Sequence, residues 1–240
     1  MQTVALSLFR FDRLLARGWV LGQMGAARFV LARVQRQDNG LQFWKLCGSG
    51  TGEGFTPRPN WSTWAILSVW DDEGAARAGM KLPPFTTWRA RADESASFFL
   101  QPFSARGHWS GVHPFTTDGT QPANAPIAAM TRATVKPSRA LRFWGKAPDI
   151  SARIGTDPNV IFKIGIGEVP LLHQVTFSIW PDAASMAAFA RTGPHAEAIR
   201  AVREEGWFNE ELYARFRILG CEGSWQGRDP LSPGQRQEAA

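Results

Sequence analysis

Tyrosine is nearly absent from this chain: Tyr213 stands alone beside 11 Trp and 16 Phe in 240 residues. Such a mix builds bulky apolar walls with few phenolic hydrogen-bonding handles, either as a Trp-rich core or as the lining of a pocket for an extended apolar ligand. Cysteine is equally scarce. Cys47 and Cys221 have neither metal-type spacing nor the arrangement of a disulfide framework, which points to a reducing compartment. With four histidines, no His/Cys/Asp/Glu set has zinc spacing. The chain carries a net charge of +6 but no block of like charge and no nucleic-acid motif. A diffuse Arg surface leaves contact with an anionic membrane open. Long apolar runs are missing too. Residues 18–34 are interrupted by Arg28 and Arg33 and fall short of a membrane span, and the N-terminal run is too short for a signal peptide. A cytoplasmic protein, soluble or peripheral, is expected.

G-x-S-x-G is absent, which removes the nucleophile elbow. The Gly-rich run from Cys47 to Gly54 invites a phosphate-loop reading, but no Gly-Lys-Ser/Thr follows and Pro57 and Pro59 prevent a helix from opening there. A loop over a pocket, with Arg58 near the carboxylates of a bound group, is the alternative. Lys45, Lys163 and Glu168 read as solvated strand-end charges.

What is present is a repeat. Phe43-Trp44-Lys45-Leu46 resembles Ile161-Phe162-Lys163-Ile164, WAILSVWDD from Trp64 resembles QVTFSIWPD from Gln174, and Trp109-Ser110-Gly111 resembles Trp225-Gln226-Gly227. Each half reads strand, helix, strand, strand, helix, strand, which is the ferredoxin-like unit. An antiparallel sheet with helices on one face must cover the other. The expected fold is therefore α+β: tandem ferredoxin-like repeats forming a dimeric α/β-barrel within one chain. The halves are placed at residues 1–113 and 126–227, joined by a Gly/Pro/Thr-rich segment, with a disordered tail over 228–240.

His195 follows Gly193-Pro194, a helix stop and restart, and shares one helical face with Ile199 and Val202. A helix N-terminus disfavours added positive charge and so favours neutral imidazole. A neutral, inward imidazole is what an axial haem ligand requires; a hydrogen-bonded core histidine would occupy the same place. Its counterpart in the first half is Phe85, so one such site per chain follows. His173 opens a strand, while His108 and His113 lie in a loop.

The strings FWKLCGSGTGEGFTPRPN, RFWGKAPDISARIGTDPNVIFKIGIGE and HQVTFSIWPDAASMAAFARTGPHAEAIRAVREEGWF resemble the spheroidene monooxygenase family of purple photosynthetic bacteria over nearly the whole chain. The resemblance implies oxidation of spheroidene to spheroidenone by two hydroxylations at one carbon, giving a gem-diol that loses water. It implies haem b with His195 as iron ligand, O₂ as cosubstrate, and electrons from a ferredoxin-like donor. The donor and an apolar carotenoid would be the partners, with the photosynthetic membrane near by. His173, Arg89 and Arg106 are candidates for the distal polar group. Three other readings are kept: a cofactor-free oxygenase on the same fold, an aldoxime dehydratase-like haem lyase, and a non-catalytic carotenoid or haem binder.

Overall fold

The computed structural model describes residues 1–52, 54, 56–145, 157–191 and 204–232. The first half contains β1 (Thr3–Arg10), α1 (Leu14–Arg36), β2 (Leu41–Gly50), β3 (Pro59–Trp70), α2 (Glu73–Gly79), α3 (Phe85–Arg89) and β4 (Glu94–Gly107). The second contains β5 (Ile127–Val135), a helical stretch over 140–145, β6 (Phe162–Gly167), β7 (His173–Trp180), α4 (Ala183–Arg191) and β8 (Phe208–Gly223). The strands close into one antiparallel barrel in the order β1-β3-β2-β6-β7-β5-β8-β4. The α+β fold and its ferredoxin-like plan are thus as expected.

Strand alternation explains the interior. Val4, Leu6 and Leu8 of β1 share a buried cluster with Leu67 of β3, Phe98 of β4 and Phe177 of β7. Their neighbours Ala5 and Phe9 join a second cluster outside the barrel with Val20, Ala27 and Leu31 of α1. Both faces of the first-half strands are covered, so those strands read as near-continuous apolar runs.

The repeat extends to single hydrogen bonds. Trp70 Nε1 donates to Ser68 Oγ at 2.9 Å, and Trp180 Nε1 donates to Ser178 Oγ at 2.9 Å. Asp72 caps α2 by accepting from Ala75 N, and Asp182 accepts from Ser185 N ahead of α4. Glu210 accepts from Ser110 N and Gly111 N, and Glu94 accepts from Gln226 N and Gly227 N.

One match is out of register. Phe43 pairs with Val69, and Phe162 with Ile179, so Phe43 corresponds to Phe162 and not to Ile161. A bulge between Leu41 and Phe43 shifts the strand by one residue, and a one-residue slip reverses every face. Lys45 therefore belongs to the interior-facing set of Phe43 and Cys47, while Lys163 alternates with interior residues and is 5% exposed. Neither is the solvated strand-end charge expected.

The segment between the halves is pinned. Arg217 pairs with Asp118, Thr116 N donates to Gln2 Oε1, and Phe115 is buried. Of the expected tail, residues 228–232 continue the fold. Trp225 bridges Arg228, and Leu231 packs on the barrel core. Residues 233–240 lie outside the described residues.

Candidate functional site

The two halves match in backbone but differ in outer face. Pairing registers align Phe9 with Ala133, Trp64 with Gln174, Ile66 with Thr176 and Phe99 with Arg215. Likewise Leu46, opposite Ile66, corresponds to Gly165, opposite Thr176. Large apolar side chains that seat helices on the first half are replaced on the second by small or polar ones. A sheet face so lined offers helices less apolar surface to bury.

A cleft opens where the halves meet at β2 and β6. Among the described residues Gly48–Gly167 and Ser49–Ile166 pair along this seam, whereas β4 and β8 pair from Ala96–Gly223 to Gly107–Leu212. The cleft has a volume of about 370 Å³. Leu21, Met24, Trp61 and Trp64 form its first-half wall, and Trp144, Leu171 and Gln174 its second-half wall. Trp64 Nε1 donates to Trp61 O and Trp144 Nε1 to Leu171 O, each at 3.0 Å. Both indole N–H groups are thus satisfied by backbone, leaving the rings as dry walls. Gln174 belongs to the cleft and also to the small-residue outer face, so the two are continuous.

The glycine-rich run closes one side of the cleft. Gly54 lies directly against the backbone of Gly165, so closely that a Cβ at Gly54, whose φ is +93°, would overlap the Gly165 carbonyl. Ser49 Oγ donates to Gly165 O at 2.7 Å. The glycines serve close backbone approach rather than a phosphate. Arg58, on the same loop, lines the cleft.

Behind the cleft, one end of the barrel holds a charged cluster. Arg132 is 1% exposed, at the position where the first half has Leu8. Its guanidinium pairs with Glu210 and lies 3.6 Å from Glu168. Glu168 also takes Lys45 Nζ at 2.9 Å and Trp109 Nε1 at 2.7 Å. Two cations and two anions balance without His173, whose Nδ1 lies 3.8 Å from Glu168 Oε2 and has no hydrogen-bond partner among the described residues. Burial holds the His173 imidazole below its usual pKa; Glu168 opposes this, and Arg132 and Lys45 reinforce it. His173 is therefore neutral. Burial, then Glu168, pushes the Cys47 thiol far up, and burial pushes Cys221 up to about 12, so neither is a thiolate nucleophile.

Of the residues singled out from sequence, His173 and Arg58 come to this region: His173 in the cluster, Arg58 on the cleft. Arg89 is exposed at the end of α3, and Arg106 lies over the Tyr213 ring at 5.1 Å; neither lines the cleft. His195 lies outside the described residues. Sequence reading missed Arg132, although it stands in phase with the interior residues Ala128 and Met130. It also missed Trp144 and Gln174.

No family model matches the chain. A spheroidene monooxygenase from Rhodobacter capsulatus is 55% identical over 236 residues, covering 97% of this chain and 96% of that protein. Its namesake from Cereibacter sphaeroides is 55% identical over 236 residues, covering 96% of this chain and 71% of that protein. One from Rubrivivax gelatinosus is 36% identical over 206 residues, covering 85% and 79%. Among solved structures, an aldoxime dehydratase shares the fold, with a TM-score of 0.61 over 90% of this chain and 81% of that one at 11% identity.

Proposed function

The chain belongs to the spheroidene monooxygenase family, a carotenoid monooxygenase by kinship, and from that premise we propose that it converts spheroidene to spheroidenone in the cleft between its halves. Identity over nearly the whole length to a protein of that name carries the reading. The first turnover takes one O₂, two electrons and two protons, turns C–H into C–OH and releases water. A second turnover on the same carbon gives a gem-diol, which loses water to leave the ketone. The electrons come from a ferredoxin-like donor.

The cleft suits such a substrate. Its walls are indole faces and aliphatic side chains, and Arg58 and Glu168 are the ionisable residues that line it among those described. A polyene is much longer than the cleft, so one end enters and the remainder stays outside. Gln174 offers an amide beside the apolar groups of Trp144 and Leu171, which suits an end group whose one polar atom is an ether oxygen.

Carbon–hydrogen oxidation of this kind requires a cofactor. Haem b fits the second half on one observation: its outer face bears Ala133 and Thr176 where the first half bears Phe9 and Ile66. His195 would hold the iron and Arg58 would stand near the haem carboxylates; when bound, haem supplies O₂ activation. The chain's own residues hold the substrate end, exclude water through Trp61, Trp64 and Trp144, and keep His173 neutral beside Glu168.

The test is purified protein given spheroidene, reduced ferredoxin and O₂, with products read by mass and absorption. Ketone formation that requires O₂, together with a Soret band lost in His195→Ala, is the expected result. Colourless, active protein would overturn the haem assignment. Product formed without O₂ would favour a lyase, and ligand retention without turnover a binder.

A further inference from the structure

Helix α1 has an unusual solvent face. Val20, Ala27, Leu31 and Val34 bury one side against the sheet. On the other side Leu14 is 80% exposed, Leu15 88%, Leu21 43% and Phe29 62%. The remaining exposed positions there are mainly Gly, Ala and Arg. No Asp or Glu occurs anywhere in Leu14–Arg36, while Arg17, Arg28, Arg33 and Arg36 do. Water-facing helices ordinarily show charged residues of both signs on that side. A helix with apolar residues outward and arginines as its only charges has the composition of an interfacial helix.

This face runs into the cleft through Leu21, which belongs to both. At the mouth Trp61 is 52% exposed, and across it Val169 is 40% and Leu171 43% exposed. The apolar surface is therefore continuous from the start of α1 to the far rim of the cleft. No helix among the described residues is long and apolar enough to cross a membrane.

We propose that the solvent face of α1 and the rim of the cleft form a docking surface for an anionic lipid bilayer, from which the substrate enters the cleft end-on. The choice of lipid rests on the carotenoid reading of the cleft, since a polyene partitions into acyl chains and not into water. Charge argues for the same occupant. Arginines on a helix that carries no Asp or Glu attract anionic headgroups, but two copies facing each other through this surface would oppose arginine to arginine.

The test is flotation of the full chain with vesicles, without carotenoid. Phosphatidylglycerol/phosphatidylcholine vesicles should carry the protein, pure phosphatidylcholine should carry much less, and added salt should release it. Leu15→Ser/Phe29→Ser, at exposed positions away from the cleft, should raise the lipid concentration for half-binding by about tenfold or more, with an unchanged melting temperature. Reversing charge with Arg28→Glu/Arg33→Glu should abolish the salt-sensitive part. Wild-type protein that stays unbound, or variants that float like wild type, would overturn the proposal. So would a wild-type dimer in solution that Leu15→Ser/Phe29→Ser dissociates, since the occupant would then be a second copy. Spheroidene supplied in detergent micelles separates the two readings. Oxidation in micelles without flotation rejects the docking surface alone; flotation without oxidation rejects the carotenoid activity alone.

Discussion

Gly48 pairs with Gly167 across the shorter seam of the barrel, and each is the other's counterpart in the repeat. Their surroundings nevertheless differ. A Cβ on Gly48 would meet the Trp64 ring at 3.7 Å, an ordinary contact, whereas one on Gly167 would run into the His173 carbonyl oxygen. Gly48→Ala should change stability by less than about 0.5 kcal/mol. Gly167→Ala should cost about 1–3 kcal/mol by forcing the backbone to move. Chemical denaturation of both variants checks this, and equal effects would contradict the asymmetry.

The paired indole bonds make a second prediction. Ser68→Ala and Ser178→Ala each leave a buried Trp N–H unpaired, at about 1–3 kcal/mol apiece. The sites lie in different halves, so the double variant should show the sum within about 0.5 kcal/mol.

Arg132 stands where the repeat has Leu8, but Arg132→Leu does not restore the first half's arrangement. It removes the cationic partner of Glu210 and leaves Glu168 with Lys45 and Trp109 alone. A loss of about 3 kcal/mol or more is expected, as for other buried pairs with one partner removed. Arg132→Leu combined with Glu168→Gln should recover part of it. Urea midpoints would show both effects.

The pH dependence has a definite sign. Burial pushes the Glu210 carboxyl up, but the Gly111 and Ser110 amides and the Arg132 guanidinium outweigh it and hold the pKa below the usual value. The His173 imidazole is also depressed, by burial first. In both cases the unfolded chain takes up protons more readily than the folded one. Stability from His173 is complete above its unfolded value, about 6.5, and falls as the pH drops through the depressed folded value. Stability from Glu210 is complete above about 4.3 and falls as the pH drops further. His173→Gln should flatten the stability profile as the pH falls below about 6.5, and Glu210→Gln should flatten it below about pH 4.3. A His173→Gln profile that overlays the wild type would rule out a half-buried neutral imidazole.

Gln174 takes the place of Trp64 in the second half and lines the cleft. Gln174→Leu should raise KM for spheroidene by up to about tenfold, the worth of one hydrogen bond, with a smaller effect on kcat. An unmethoxylated analogue should show no such change. Steady-state kinetics on both substrates tests the assignment.

Sequence reading reached the strand and helix order, the duplication and the barrel, because strand alternation and the Asp caps are local signals. It slipped by one residue at Phe43, because letters alone do not reveal a bulge and the chemically similar FWKL and IFKI strings align most readily out of phase. Lys45 and Glu168 read as ordinary charges, and Arg132 went unnoticed, because their partners lie far apart in the chain. Helix α3 was missed because five residues, Phe85–Arg89, carry too little periodicity to register. The cleft was half legible: Arg58 and the glycine-rich loop were placed over a pocket, but its second-half wall depends on which face of β7 Gln174 takes.

The long β4–β8 seam has a consequence for assembly. Neither half carries a finished sheet: cutting within residues 108–126 would leave β2 and β4 of the first half with unpaired edges, and β6 and β8 of the second likewise. Exposed edges recruit other strands. Each fragment made alone would therefore self-associate or precipitate, whereas the two made together could pair along both seams and rebuild the barrel from separate polypeptides.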